Sequence, residues 1–221
     1  MNLDLSFMQK HIPVFIDASI LTFQIALIAI ALSIGIAIMN NFIYQLNIKP
    51  LSFIVKAYVE VARNTPFLIQ LFFLYFVLPT FGIKLSGFVA ATIGLSFLGG
   101  GYMTESFRAG IEAISKPQIE SGLSIGLSRF ELLKYVILPQ AVNISIPALI
   151  TNAIFLLKET SVASAIAVPE LLHTTTGLIA IYYKTYEMLL MLTIFYVVLF
   201  VPISLLLSFL ERRMKYGQYG A

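Results

Sequence analysis

Five stretches of this chain carry no ionised side chain, and each is long enough to cross a lipid bilayer. No Asp, Glu, Lys or Arg stands between Asp17 and Lys49, Arg63 and Lys84, Lys84 and Glu105, Lys134 and Lys158, or Glu187 and Glu211. A hydrocarbon core about 30 Å thick needs about 20 consecutive apolar helical residues. Residues 19–39 form the cleanest of these candidates. The composition agrees: 59% of residues are hydrophobic and 11% charged, where soluble domains carry about 25% charged residues. The mean hydropathy is +0.91. A spanning segment must satisfy its own backbone polar groups, so these intervals are expected to be helices. The expected fold class is an all-α integral membrane protein with five transmembrane helices.

Several function classes drop out on residue types. There is no cysteine, so there is no disulfide, thiolate metal site or cysteine nucleophile. The two histidines, His11 and His173, are far apart and no ligand cluster surrounds either, so no metal site is expected. His173 reads as an exterior loop residue without a role. A net charge of +3 is too diffuse to suggest nucleic acid. Tryptophan is absent, so an aromatic belt must come from 11 Tyr and 18 Phe. Residues 1–17 hold Asp4, Lys10 and Asp17 and lack the basic and apolar regions of a cleavable leader. No embedded constellation of His or paired carboxylates suggests an enzyme.

Five spans place the termini on opposite sides, and basic residues choose the orientation. With the C-terminus inside, the inner loops hold Lys49, Lys56, Arg108, Lys116, Arg129, Lys134, Arg212, Arg213 and Lys215, nine residues against three outside, Lys10, Lys84 and Lys184. Arg63 and Lys158 lie at or within spans and do not enter the count. The expected topology is N-out, C-in.

The polar insert "IESGLSIGLSRFELLKYVILPQ" (119–140) then lies in the cytoplasm. Ser115 with Gln118, and Ser128 with Glu131, each fit a capping box, and Pro117 suits a first turn. Gly122 and Gly126 lie near the break between two short helices, where a tight turn can require positive φ. Pro139 is expected to end the second helix or kink the start of the fourth span. The plainer alternative is an amphipathic connector at the membrane surface.

Other polar residues fall within or beside the spans, where ionisable groups are costly and point to function. Lys158 and Glu159 are adjacent and followed by Thr160 and Ser161. Either they pair locally and bond the backbone, or they line a central pathway. Small residues up to Pro169 favour a broken helix there. Glu105 and Arg108 are three apart and fit a salt bridge on one helix face, as do Glu60 and Arg63. Thr65-Pro66 lies one turn deeper. Gln24 and Gln70 suit interhelical hydrogen bonds. The run Gly99–Gly101 allows either close helix packing or local unwinding. It forms no phosphate cradle, since no GxxxxGK[ST] run occurs in the chain. If transport is active, its energy comes from an ion gradient or from another subunit.

Four segments carry a resemblance. Glu120-Ser121-Gly122, three residues, Gly126, nine residues and then Val136-Ile137-Leu138-Pro139 resembles the EAA loop of ABC importer permeases, with two small residues in place of the two alanines. "RNTPFLIQLFFLYFVLP" (63–79), "GYMTESFRAGIEAI" (101–114) and "LLKETSVASAIAVPELL" (156–172) resemble further segments of the polar amino acid permeases, with Glu159 where an aspartate is usual. The similarity covers about residues 15–212. It implies a type I ABC importer permease fold, with residues 1–17 as an exterior segment, 18–212 as the membrane domain and 213–221 as a cytoplasmic tail. The EAA region, about 115–139, would be a coupling helix that seats Glu120, Ser121, Gly122, Gly126, Leu138 and Pro139 against an ATPase subunit dimer. Lys158, Glu159, Thr160, Ser161, Glu105 and Thr65 would serve the substrate pathway. The resemblance also implies a second permease copy, identical or homologous, an extracytoplasmic binding protein, and a bacterial inner membrane location in contact with lipid. ATP and Mg would bind the ATPase, and no cofactor this chain. Two other readings stay open: an ion-coupled secondary transporter, and a membrane subunit whose partner holds the only substrate site.

Overall fold

The computed structural model describes residues 3–219, the side chains of 210 and 214–219 excepted. Every regular element among them is helical. Helix α1 (Leu5–Gln45) has 41 residues, about 61 Å at 1.5 Å per residue, so it runs well beyond a bilayer core. Its start is fixed by Asp4, whose side chain accepts a 3.0 Å hydrogen bond from the Phe7 amide. That bond, with Ser6 and Lys184 beside it, holds the Asp4 carboxyl below the usual carboxylate range. The segment 1–17, expected to be exterior, is largely helical. Its residues from Leu5 belong to α1, and residues 1 and 2 lie outside the described residues. At the other terminus, residues 220 and 221 of the expected tail lie outside them too.

Helix α2 (Lys49–Asn64) ends at Thr65, which is extended at φ −112°, ψ 138°. The proline ring of Pro66 disfavours the helical conformation for the residue before it. The chain turns by 108° between α2 and the helical run Phe67–Phe81. The second span is thus a broken pair rather than the single rod expected from the interval 63–84. Gln70 closes the break: its Nε2 donates to the carbonyls of Ala62 (3.0 Å) and Thr65 (3.1 Å) and to Thr65 Oγ1 (2.7 Å). That is bonding around a hinge within one broken span, not between spans. Gln24 is exposed on α1.

Helix α3 (Phe67–Phe72) passes through a π-turn at Phe73–Val77 and a short 3-10 turn at Leu78–Phe81. The same device recurs later. Helix α6 (Arg129–Leu132) passes through a π-turn at Leu133–Ile137 into α7 (Leu138–Glu159). Each π-turn lies just before a proline, Pro79 or Pro139. In the second, the Leu138 amide donates to Leu133, five residues back. Widening the turn accommodates the ring that would otherwise crowd the preceding carbonyl. Pro139 therefore does not end the helix. The rod runs on from Arg129 to Ile166.

Helix α4 (Gly87–Glu112) is the central element, started by Ser86, which accepts from the Val89 amide at 3.3 Å. Two-thirds of its most apolar window is buried. The glycine run settles in favour of close packing. A methyl group on Gly99 would strike Ser33 of α1 and Leu156 of α7, on Gly100 Tyr58 of α2 and Ile36 of α1, and on Gly101 Ala62 of α2. Three consecutive glycines thus admit three neighbours, and α4 stays helical through them. The main core joins Ile25, Phe67, Leu71, Leu95, Met103 and Leu156.

A smaller cluster, with Phe15, Leu171 and Met188, joins α1 to α8 (Leu171–Tyr182) and α9 (Thr185–Tyr219). Glu170 caps α8, accepting from the amides of Leu172 (3.0 Å) and His173 (2.7 Å). His173 is thus in the first turn of a helix, not in a loop. Only 6% of the apolar window of α9 is buried, leaving Val198, Leu205 and Phe209 exposed, as a lipid-facing span requires. Among the described residues four helices are long and apolar enough to cross a membrane, or five spans when the bent pair is counted as one.

Candidate functional site

The break at Thr65-Pro66 opens a cavity of about 270 Å³ between α2, α3, α4 and α7, lined by Arg63, Asn64, Thr65, Pro66, Phe67, Leu98, Tyr102, Phe155 and Glu159. It lies among segments that are otherwise apolar, yet it holds a guanidinium and a carboxylate. Ionisable groups among membrane spans are costly and mark functional sites. The cavity is just below the usual size range of ligand pockets, about 300–1,000 Å³, which suits one small molecule.

Arg63 closes the last turn of α2 because Thr65-Pro66 ends that helix. Its guanidinium carbon lies 5.5 Å from the centre of the Tyr102 ring, within range of a cation–π contact. Its Nη1 is 3.6 Å from Glu105 Oε2. Glu105 is held more tightly by Arg108, whose Nε and Nη2 donate to its two oxygens at 3.0 and 2.8 Å, and Arg108 also pairs with Glu112. The expected Glu105–Arg108 bridge is thus present. The expected Glu60–Arg63 pair is not, because Glu60 accepts from Asn64 Nδ2 at 2.9 Å while Arg63 turns to α4. Glu105 lies in a neighbouring groove with Tyr44, Lys56 and Glu60 and faces Arg63 of the cavity lining.

Glu159 and Thr65 reach the cavity. Lys158 does not: it is exposed and meets no acidic partner among the described residues. Neighbouring helical residues diverge by about 100°, so Lys158 and Glu159 face different surroundings. The helix does tighten into a 3-10 turn at Thr160–Ile166, closing at Ala167 with φ 57°, but only after Glu159. Thr160 is fully buried and donates to the Leu157 carbonyl at 2.7 Å. Ser161 donates to the Lys158 carbonyl at 2.9 Å. Both hydroxyls hold the end of α7, and neither lines the cavity. The hydroxyl of Thr65 is also engaged, donating to Val61 and accepting from Gln70. Arg63, Asn64, Tyr102 and Phe155 also line the cavity and are absent from the sequence-derived site. Arg63 escaped because its three-residue spacing from Glu60 reads as a salt bridge on one helix face.

At one end of the bundle, α5 (Lys116–Ser124) and α6 form the helix–turn–helix expected of the polar insert. The Ser128 box is complete: Glu131 Oε2 accepts from the Ser128 amide at 2.9 Å, and Ser128 Oγ accepts from the Glu131 amide at 3.3 Å. The Ser115 box is not formed. Pro117 removes an amide from the first turn, and the Gln118 amide donates to the Ser115 carbonyl instead, at 3.1 Å. Gly126 makes the turn at φ 89°. Gly122 does not; it is buried inside α5, where a side chain would strike Leu132. Glu120 and Ser121 are exposed, with Ile125 and Phe130, 79% and 71% exposed, beside them. Leu138 and Pro139 are exposed at the foot of α7.

Residues 29–216 match the family described as the binding-protein-dependent transport system inner membrane component. The chain belongs to this family. The permease is 31% identical over 217 residues to the glutamine transport system permease protein GlnP of Escherichia coli (strain K12), covering 97% of this chain and 99% of that one. It is 29% identical over 216 residues to the arginine transport system permease protein ArtQ of Bacillus subtilis (strain 168), again with 97% and 99% covered. The crystal structure of an amino acid ABC transporter with histidines superposes with a TM-score of 0.90 at 31% identity, over 96% of this permease and 100% of that chain. The fold is that of type I ABC importer permeases.

Proposed function

We propose that this chain is the permease subunit of an importer that carries a polar amino acid across the bacterial inner membrane, N-out and C-in. The observation that carries the reading is the cavity at the α2–α3 break, where one cation and one anion share a small space within apolar spans. An amino acid backbone bears the complementary pair. The similarity to permeases named for glutamine and arginine supports the substrate class.

Transport would be powered from outside this chain, since it carries no phosphate-binding loop. The exposed α5–α6 turn is the docking point for an ATPase subunit dimer, which would hold ATP and Mg. Its two short helices are joined by a single glycine turn, and α6 runs through the π-turn into α7 and on to Glu159. A displacement at Glu120–Gly126 therefore has a continuous helical route to the cavity wall. An extracytoplasmic binding protein would deliver substrate at the opposite end. A second permease, identical or homologous, would cover the face of α7 that bears Lys158, because a lysine in contact with lipid at that depth is costly. Thr160 and Ser161 support the site by fixing the end of α7.

The test is uptake by the complete transporter in proteoliposomes. Glu159→Gln is expected to lower import while leaving the assembled complex intact. Import at the normal rate and apparent affinity would move the site away from this cavity.

A further inference from the structure

We propose that the first two turns of α2 form a binding surface for anionic phospholipid, with Lys49 and Lys56 on the headgroup phosphates and Phe53 and Ile54 set among the acyl chains. The surface lies on the cytoplasmic side in the N-out, C-in reading, but the lipid contact is tested without that assumption.

Helix α2 differs from the spans around it. Its 16 residues carry Lys49, Lys56, Glu60 and Arg63, and its buried residues are Val55, Val59 and Ala62. At about 100° per residue those three share one face, and Ala62 lies against Gly101 of α4. Lys49, Phe53 and Lys56 are spaced four and three apart, so they are neighbours along one stripe, well away from the buried face. Phe53 is 73% exposed and Ile54, beside it, 63%. A phenyl ring between two lysines suits neither water nor the hydrocarbon interior. It suits the boundary between them. Interfacial helices sink apolar side chains below the headgroups, while lysines reach up to them.

Charge selects the lipid. Lys49 and Lys56 are exposed and make no ion pair among the described residues. The acids that line a groove with Lys56 are Glu60 and Glu105. Glu60 accepts from Asn64 at 2.9 Å, and Glu105 is held by Arg108 through two bonds. Both lysines are thus left for anions outside the chain, and each lysine beside an anionic leaflet strengthens the attachment. A second permease copy fits the stripe less well. A twofold contact centred on it is self-complementary and sets lysine against lysine.

The test is quenching of a tryptophan by brominated lipid. The chain has no tryptophan, so Phe53→Trp adds one reporter at the stripe. The permease–ATPase complex is reconstituted in phosphatidylcholine with a small fraction of brominated phosphatidylglycerol or brominated phosphatidylcholine. Quenching is read against the parent complex, which removes any tryptophan of other subunits. Brominated phosphatidylglycerol is expected to quench with an apparent affinity at least about fivefold higher. At Val198→Trp, a position 65% exposed on α9, the two lipids are expected to quench equally. Lys49→Gln combined with Lys56→Gln is expected to lower the ratio at Phe53→Trp to that at Val198→Trp. The readout is a ratio of two lipids on one variant, so a general loss of folded protein does not imitate it. Equal quenching at Phe53→Trp, or a preference that survives the double substitution, overturns the role of the lysines. A preference as large at Val198→Trp shows a general enrichment of anionic lipid around the protein and overturns the local site. Quenching by neither lipid at Phe53→Trp shows that protein covers the stripe and overturns the lipid as its occupant. A reversed topology, read by a C-terminal reporter, leaves these ratios unchanged, so the two readings fail separately.

Discussion

Arg63, in the last turn of α2 and in the lining of the cavity at the α2–α3 break, stands 3.6 Å from Glu105 on α4, which lines the neighbouring charged groove. The contact crosses from a helix that ends at the chain break to the helix that forms the centre of the bundle. Both partners are partly solvated, with side-chain exposures of 39% and 25%, and exposed pairs of this kind contribute at most about 1 kcal/mol. The first prediction follows. Glu105→Gln should change the apparent KM for uptake by no more than about fivefold, while Arg63→Gln should cost more. Uptake kinetics on the two variants check this. Loss of transport in Glu105→Gln would place Glu105 in the pathway itself.

The second prediction concerns α4. A methyl group at Gly99 would collide with Ser33 and Leu156, and overpacking of a dense interior costs about 1–3 kcal/mol. Gly99→Ala should therefore lower the unfolding temperature of the purified permease. Gly35, on α1, has no atom within 4 Å of the position a side chain would take. There alanine gains helix propensity of up to about 1 kcal/mol, so Gly35→Ala should leave the unfolding temperature unchanged or higher. Equal losses in both variants would show that Gly99 is not packed as described.

These residues also show how far the sequence reaches. Charge-free intervals locate the spans because lipid excludes charge, and the paired polarity of residues 119–140 marks the helical hairpin. Arg63 is hidden by its spacing from Glu60, which reads as a salt bridge on one helix face. Also hidden is the break at Thr65-Pro66, which becomes a site only when α4 and α7 supply Tyr102 and Glu159 from far along the chain. The alternatives at Gly99–Gly101 could not be separated from sequence either. Close packing is decided by Ser33, Tyr58 and Ala62, none of them near in the chain. Lys158 and Glu159 are adjacent in sequence and look like one feature, yet helical geometry sends them to different faces.

The third prediction is topological. A reporter fused to the C-terminus should be active only when it requires the cytoplasm, in keeping with nine basic residues on the proposed inner side against three outside. An extracytoplasmic readout would reverse the orientation and put α5–α6 on the wrong side for an ATPase.

The last prediction concerns Gly126. Its φ of 89° lies where glycine alone is unstrained, and a non-glycine residue held in such a region costs about 1–3 kcal/mol. No atom lies within 4 Å of the position its side chain would occupy. A substitution there therefore acts on the turn and not on packing. The turn sets the angle between α5 and α6, and α6 is rigidly continuous with α7 through the Leu133–Ile137 π-turn. Gly126→Val should re-aim α5 while the membrane helices, whose cores lie elsewhere, remain folded. The expected outcome is a permease that inserts and resists heat like the wild type, but whose ATP-driven uptake falls because the docking surface no longer meets its partner. Gly126→Asn, a residue that tolerates left-handed backbone better, should retain more uptake than Gly126→Val. Measured together, uptake and unfolding temperature separate the two causes. Equal uptake in the valine variant and the wild type would mean that the angle of this turn does not matter for coupling.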